Sequence, residues 1–482
     1  MCEQVTVMRR VLIYGAGEAG EMVLEEISKR PQENIDVQGF MDDDEAKLGT
    51  SIRDVPVLGG RKNLQKAIRS HAINEIIIAM PSIAKTAVRE IVRTCKKEKV
   101  KLLIVPSTRE IIEGNVNYEQ IKNIHPADLL DREEVHIESE KIRGYIRGRV
   151  VLVTGAAGSI GSVLVKKILS YEPVELVLLD INENGLFYLL QSIGEDNQNK
   201  SAIVSGKVSD VKSGPMLEEI FMQHRPEIIF HAAAYKHVPI MEDNVRMIVL
   251  NNVIGTAKLL QCALDYGVER FIAISTDKAV CPVSVMGKTK RICELLVKCY
   301  ANKGLKASSV RFGNVLGSNG SVVTVFKRQI EHGGPVTITS PGMERYFMTI
   351  DEAVSLVLQA GTLSGVGDIH VLEMGNPIRI RDLAESLLIL SGYTPDVDVE
   401  IRYTGMRAGE KLTEELFHSG AKVSESPYRG IYIEQCIPEC STLLDHIQHI
   451  EMGIHQLEEQ RLKEIMDSIV VNSLPASKTI DK

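Results

Sequence analysis

Two glycine-rich turns, each set between an apolar strand and the start of a helix, constrain this chain more than any other feature. The first reads Arg10-Val11-Leu12-Ile13-Tyr14-Gly15-Ala16-Gly17-Glu18-Ala19-Gly20, and a helical pattern continues to about Arg30. The second reads Arg149-Val150-Val151-Leu152-Val153-Thr154-Gly155-Ala156-Ala157-Gly158-Ser159-Ile160-Gly161, with a helical pattern to Ser170. Strand, tight turn and helix in that order open a βαβ unit. Two such openings, about 140 residues apart, predict an α/β protein with two tandem Rossmann-like domains.

Short apolar strands extend each opening. In the first domain they are Ile35–Met41, Glu75–Ala79 and Lys101–Val105. In the second they are Val174–Asp180, Ala202–Ser205, Glu227–His231, Arg270–Ser275 and Ala307–Phe312. The latter alternate with helical stretches, which predicts a doubly wound parallel sheet. After Gly313 the pattern becomes irregular and rich in Gly and Pro, as expected of a small C-terminal substrate-binding lobe. The expected boundaries are 1–126 for the first domain, 127–148 for a charged linker with a short helix, and 149–440 for the second domain. Residues 441–482 complete the chain as a charged amphipathic helical segment with a polar tail.

Composition excludes several classes. A chain of 482 residues is too long for one core. A net charge of −8, no Trp and 5% aromatics argue against a nucleic-acid partner. No uninterrupted apolar run reaches the roughly 18 residues of a membrane span, and Met1-Cys2-Glu3-Gln4 lacks a signal-peptide pattern. The eight Cys have no metal-type pairing and read as free thiols of a cytoplasmic protein, with no metal site expected.

The second turn is the stronger ligand signal. At Gly155, Gly158, Ser159, Ile160 and Gly161 the backbone N–H groups and the helix dipole suit a pyrophosphate. Asp180 ends the next strand, where a carboxylate accepts from ribose hydroxyls and repels a 2′-phosphate, so NAD is favoured over NADP. Asp210 and Val211 fall near the adenine, and Ala232 and Ala233 let the chain pass beneath the cofactor. The first turn is followed by Asp42-Asp43-Asp44. It fits a nucleotide, a sugar nucleotide or a scaffold that binds nothing, and these readings stay open.

Residues from about Arg149 to Phe417 resemble an extended short-chain dehydrogenase/reductase acting on a sugar nucleotide. Within that class they resemble the bacterial UDP-N-acetylglucosamine 4,6-dehydratases of polysaccharide biosynthesis. Seven blocks in order carry the resemblance. They are Thr154–Gly161, His231-Ala-Ala-Ala-Tyr-Lys-His-Val-Pro239, Ser275-Thr-Asp-Lys-Ala-Val280, Val285-Met-Gly-Lys-Thr-Lys290, Arg311-Phe-Gly-Asn-Val-Leu-Gly-Ser318, Arg345-Tyr-Phe-Met-Thr349 and Met406-Arg-Ala-Gly-Glu-Lys411. The first domain resembles the one that precedes the catalytic domain in long members. Many long members begin with transmembrane helices. The chain departs from the family at Cys281, usually Asn, and Ala408, usually Pro.

In the wider class a Tyr sits four residues before a Lys, and the Lys charge helps the phenol give up its proton. Here Lys290 is present but Met286 stands in place of the Tyr, and a thioether carries no proton. The resemblance places this replacement in the family's long branch. It implies oxidation at sugar carbon 4, loss of water across carbons 5 and 6, and hydride return to carbon 6. That elimination needs an acid and a base side by side. Thr276 is expected to hold the carbon 4 hydroxyl, Asp277 to serve as the acid and Lys278 as the base at carbon 5. Lys290 keeps the nicotinamide ribose, and Met286 packs on sugar or cofactor, or in the core. An ion pair capping a strand end is the competing reading of Asp277-Lys278; the position at the carboxyl end of a central strand tells against it.

For the UDP-sugar, Arg407 and then Arg345 are expected at the diphosphate, with Asn314, Lys236 and Glu410 beside the substrate. A surface salt bridge is the competing reading for these. The C-terminal helices suggest a subunit interface, hence a homo-oligomer. Two other functions remain: a sugar-nucleotide epimerase, in which the Asp277-Lys278 pair is surplus, and a non-catalytic NAD- or nucleotide-sensing regulator, which Met286 motivates.

Overall fold

The computed structural model describes residues 8–31, 34–80, 85–98, 100–105, 122–123, 135–195, 202–363, 367–391, 393–435, 438 and 440–473. The expected boundary at residue 126, linker residues 127–134 and tail residues 474–482 lie outside the described residues. The chain divides into two compact units.

Unit 1 holds a sheet of seven strands. They are β1 (Arg9–Tyr14), β2 (Ile35–Met41), β3 (Ser51–Ile52), β4 (Val55–Gly59), β5 (Glu75–Ile78), β6 (Lys101–Ile104) and β7 (Lys122–Asn123), in the order β3-β4-β2-β1-β5-β6-β7. The inner strands are parallel, as the first turn predicts. Unit 1 also takes in residues 325–338 and 381–402. This departs from the expected 149–440 domain. Ile389 and Leu390, at the end of the helix Ile380–Leu390, pack against the core built on Leu12, Tyr14 and Ile76.

Unit 2 is built on β8 (Val150–Thr154), β9 (Glu175–Asp180), β10 (Ile203–Val208), β11 (Ile228–His231), β12 (Arg270–Ile274) and β13 (Ala307–Arg311), which stand in the order β10-β9-β8-β11-β12-β13. The strand Ile369–Leu372 adds in parallel to β13, and the antiparallel strands Ile431–Glu434 and Val423–Glu425 close that side. The central strands are apolar on both faces, as parallel strands covered by helices require. Leu152, Val177 and Phe271 point into one core, while Val151, Val153 and Phe230 point into the other. The order reverses between β8 and β11, so a crevice opens at their carboxyl ends. The turn there is compact because Gly161 has no side chain: a Cβ would lie 2.0 Å from the Gly155 carbonyl oxygen.

A buried ionic frame ties the lobe to this sheet. Arg311, at the end of β13, donates Nε and Nη2 to the two carboxylate oxygens of Glu294 at 3.0 and 2.9 Å. Its Nη1 reaches Glu434 Oε2 and the Leu416 carbonyl, both at 2.9 Å. Glu294 lies on the helix Val285–Asn302, and also accepts Ser275 Oγ at 2.7 Å and Arg291 Nη1 at 3.1 Å. Burial pushes the Glu294 carboxyl up, but Arg311 and Arg291 outweigh it and hold it at about 2.

The helices Cys440–Gly453 and Glu459–Asn472 spend their apolar faces inside the chain. Leu443, Ile447, Leu462 and Met466 join the core formed with Leu259, Leu260 and Leu296. Those apolar faces pack within unit 2, while Met452 and Val471 on the same helices remain exposed. Cys299 and Cys440 form a disulfide, which corrects the reading of all eight cysteines as free thiols. The pairing depends on tertiary packing across 141 residues and left no local spacing signal. The stretch Val245–Asp265 is 21 residues long and apolar enough to cross a membrane by composition, although no uninterrupted apolar run flagged it; 67% of its window is buried in the structure.

Arg311→Met should leave Glu294 and Glu434 buried with too few cations and cost about 3–5 kcal/mol, read as a drop in the denaturation midpoint. The same frame sets an acid limit. Glu294 is depressed in the folded state, so its stabilisation is complete above the unfolded carboxylate pKa of about 4.3 and is lost as pH falls through about 2. Wild type should lose stability across that window, and Arg311→Met should show a smaller dependence.

Candidate active site

The crevice at the carboxyl ends of β8, β11 and β12 contains a cavity of 520 Å³. Its cofactor side is the second glycine turn: Gly155, Gly158, Ser159, Ile160 and Gly161 all line it. The helix Ser159–Leu169 starts at Gly158 with no side-chain cap, which leaves its first N–H groups without that partner. Such an end suits an anion. Asp180 sits beside the turn, where Oδ2 accepts the Ala157 N–H and Oδ1 the Asn182 N–H, both at 2.9 Å. Its neighbour Ile181 is 61% exposed, an apolar surface of the kind a base stacks on. These groups fit a dinucleotide.

Beneath the crevice, polar contacts fix the floor. His231 bonds Thr154 Oγ1 at 2.7 Å and Thr256 Oγ1 at 2.9 Å. Burial, with the Lys290 charge, pushes His231 down to about 3, so it stays neutral. The π-helical turn Val249–Ile254 presents Asn252, which accepts the Tyr235 N–H at 2.9 Å and donates to Tyr235 O at 3.0 Å and Thr289 Oγ1 at 3.1 Å. One amide thus pins the Ala232–Tyr235 stretch to the helix that carries Met286 and Lys290.

The reactive side follows β12. Thr276 and Lys278 line the cavity, with Met286, Lys290, Lys236 and Asn314. Met286 and Lys290 share one helix face, and Met286 is 3% exposed, at once cavity wall and core. This helix comes close to the Thr276–Lys278 turn because Gly287 is bare: a Cβ there would lie 2.3 Å from Lys278 O. Lys278 Nζ donates to Asp277 Oδ1 at 3.0 Å and Asn314 Oδ1 at 3.1 Å. Thr276 Oγ1 donates to the same Asp277 oxygen at 2.9 Å. Burial lowers the Lys236 pKa, and lowers that of His237 with help from Lys236.

Several expected residues lie elsewhere. Asp277, expected as the acid at the leaving hydroxyl, is fully buried and does not line the cavity, whereas Thr276 and Lys278 on either side of it do. Val211 is 3% exposed, and its side chain packs in the core. Asp210 is engaged with Lys212 at 2.8 Å and, like Ala233, is outside the cavity lining. Arg345 is 8% exposed, and its guanidinium is turned onto the carbonyls of Glu344, Lys411 and Leu412. That donor set is used inside the protein, which corrects its placement at a phosphate. Arg407 is exposed beyond the cavity lining, and its N–H bonds Glu410 Oε2 at 3.2 Å.

The sequence reading missed the loop Ser318–Ser321. It lines the cavity, and the Asn319 N–H reaches Ser159 Oγ at 3.0 Å, closing over the glycine turn. The Ser-Asn-Gly-Ser run marks a turn, but nothing local says what it covers.

The family model described as polysaccharide biosynthesis protein matches residues 151–436. This chain belongs to that family. A second model, described as a CoA-binding domain, matches residues 2–106. The probable polysaccharide biosynthesis protein EpsC of Bacillus subtilis is 40% identical over 455 residues, covering 94% of this chain and 75% of that protein. The capsular polysaccharide biosynthesis protein CapD of Staphylococcus aureus is 36% identical over 460 residues, covering 95% and 76%. The solved structure of Pen from Bacillus thuringiensis matches with a TM-score of 0.54 at 27% identity, over 60% of this chain and 90% of that one.

Cys281 follows the Thr276–Lys278 turn at φ +39°, a left-handed conformation that disfavours a side chain other than Asn or Gly. Cys281→Asn should raise stability by about 1 kcal/mol, seen as a higher thermal midpoint.

Proposed function

We propose that the protein is an NAD-dependent UDP-N-acetylhexosamine 4,6-dehydratase, with UDP-N-acetylglucosamine as its substrate and a 4-keto-6-deoxy sugar nucleotide as its product. It acts in the cytoplasm as a homo-oligomer to supply surface polysaccharide synthesis. The observation that carries this reading is the cluster of Thr276, Asp277 and Lys278 at the end of β12, facing a position where Met286 cannot move a proton.

The glycine turn and Asp180 would hold NAD, with Lys290 on the nicotinamide ribose, and it would supply the hydride acceptor for sugar carbon 4 and the hydride donor for carbon 6. The carbon 4 hydroxyl bonds Thr276 Oγ1, whose own proton already points at Asp277 Oδ1. The proton leaving that hydroxyl passes through Thr276 to Asp277. The ketone then acidifies the hydrogen at carbon 5, and the neutral amine of Lys278 removes it. The Asp277–Lys278 pair gives one proton to the oxygen at carbon 6, which departs as water. Lys278 finally returns a proton to carbon 5. Each proton taken from the sugar is accounted for, and no phenol is required.

Incubation with UDP-N-acetylglucosamine in deuterated water, followed by NMR, tests this directly. A carbon 6 methyl signal with deuterium at carbon 5 is expected; an epimerised or unchanged sugar would overturn the reading. Lys278→Ala should lower turnover about a hundredfold or more with the cofactor still bound. Met286→Ala should keep measurable turnover, and total loss there would give the thioether side chain a role denied to it here.

A further inference from the structure

Behind the cavity lies a second carboxyl that the chemistry above leaves unused. Glu414 is 7% exposed, and its Oε1 is 3.8 Å from Lys278 Nζ and 3.9 Å from Arg345 Nε. Among the described residues, Glu414 Oε2 and Asp277 Oδ2 are buried oxygens without a hydrogen-bond partner. One ammonium therefore faces two buried carboxyls, and they are not equivalent. Asp277 Oδ1 accepts two donors, from Thr276 and Lys278. Among the described residues no donor reaches the Glu414 carboxyl within hydrogen-bonding distance, and Lys278 and Arg345 stand nearly 4 Å from it.

We infer that Glu414 is a positioning residue that acts through Lys278, taking the proton from its ammonium so that a neutral amine faces the cavity. This rests on the dehydratase reading. In the step, Lys278 Nζ turns from Asp277 to close the 3.8 Å gap to Glu414 Oε1, an Nζ–H bond breaks and an O–H bond forms on Glu414. The freed nitrogen lone pair then takes the hydrogen at carbon 5, whose bonding electrons move toward the carbon 4 ketone. Glu414 gives its proton back when the cycle closes. The charged groups facing it are Lys278 and Asp277 from the turn after β12, Arg345 from the strand Glu344–Arg345, and Lys411 from its own segment. Burial raises the Glu414 pKa, against the pull of Lys278, which suits a group that must hold a proton.

The test is Glu414→Gln, which keeps the shape and removes the titrating group, with Glu414→Asp as the conservative control. While a proton is shared inside a pair, turnover stays level with pH. In Glu414→Gln the amine must lose its proton to solvent, so kcat should rise about tenfold per pH unit from neutral upward, and Glu414→Asp should restore the level profile. A loss of kcat equal at every pH, or an unchanged profile, would overturn the inference. A second readout does not depend on turnover. In the NAD-loaded enzyme with 15N-lysine, the Lys278 signal should titrate at lower pH in Glu414→Gln by about one unit or more, because an anion has gone. An unmoved midpoint would refute the coupling. If wild type forms no carbon 6 methyl product while the Lys278 midpoint still moves, the dehydratase reading fails and the Glu414–Lys278 coupling stands.

Discussion

The buried guanidinium of Arg311 is the interaction on which the site depends. It joins three pieces distant in sequence: the end of β13, the helix bearing Glu294, and the C-terminal strand bearing Glu434. A cation removed from water is costly unless its partners are close and complete, and here four donor contacts reach two carboxylates and a carbonyl. Glu294 extends the frame to Ser275, the residue before the Thr276–Lys278 turn. The register of Thr276, Asp277 and Lys278 against Met286 and Lys290 is thus set by charge pairing one layer below the cavity.

That rigidity matters because the site has lost a group its wider class uses. A thioether at position 286 can pack but cannot exchange a proton. The proposed chemistry then falls to side chains on the strand end, where a hydroxyl, a carboxyl and an amine form one chain of hydrogen bonds. Asp277, buried behind Thr276 and Lys278, is suited to storing a proton more than to touching substrate. Glu414 adds a second store on the far side of the same amine.

Much of this was legible in the sequence because it is local. The strand, turn and helix around Gly155–Gly161 predicted the crevice, and Thr276, Lys278, Met286, Lys290, Lys236 and Asn314 all line the cavity. What failed is non-local. Arg345 looked like a free cation in an irregular lobe, yet the carbonyls that occupy it come largely from residues 411 and 412. The Cys299–Cys440 pair and the intramolecular use of the C-terminal helices follow from how distant helices pack. Val211 carries an apolar side chain that serves a core as well as it would serve an adenine. Glu414 lies four helices and more than a hundred residues after Lys278, and only the fold brings the two together.

The central claim is that oxidation and elimination use different bases, Thr276 with Asp277 for the first and Lys278 for the second. A single-turnover reaction of Lys278→Ala, quenched and reduced with borodeuteride before mass spectrometry, tests it most directly. The account predicts sugar labelled at carbon 4 that still carries its oxygen at carbon 6. Fully dehydrated sugar, or sugar with no label at carbon 4, would contradict it.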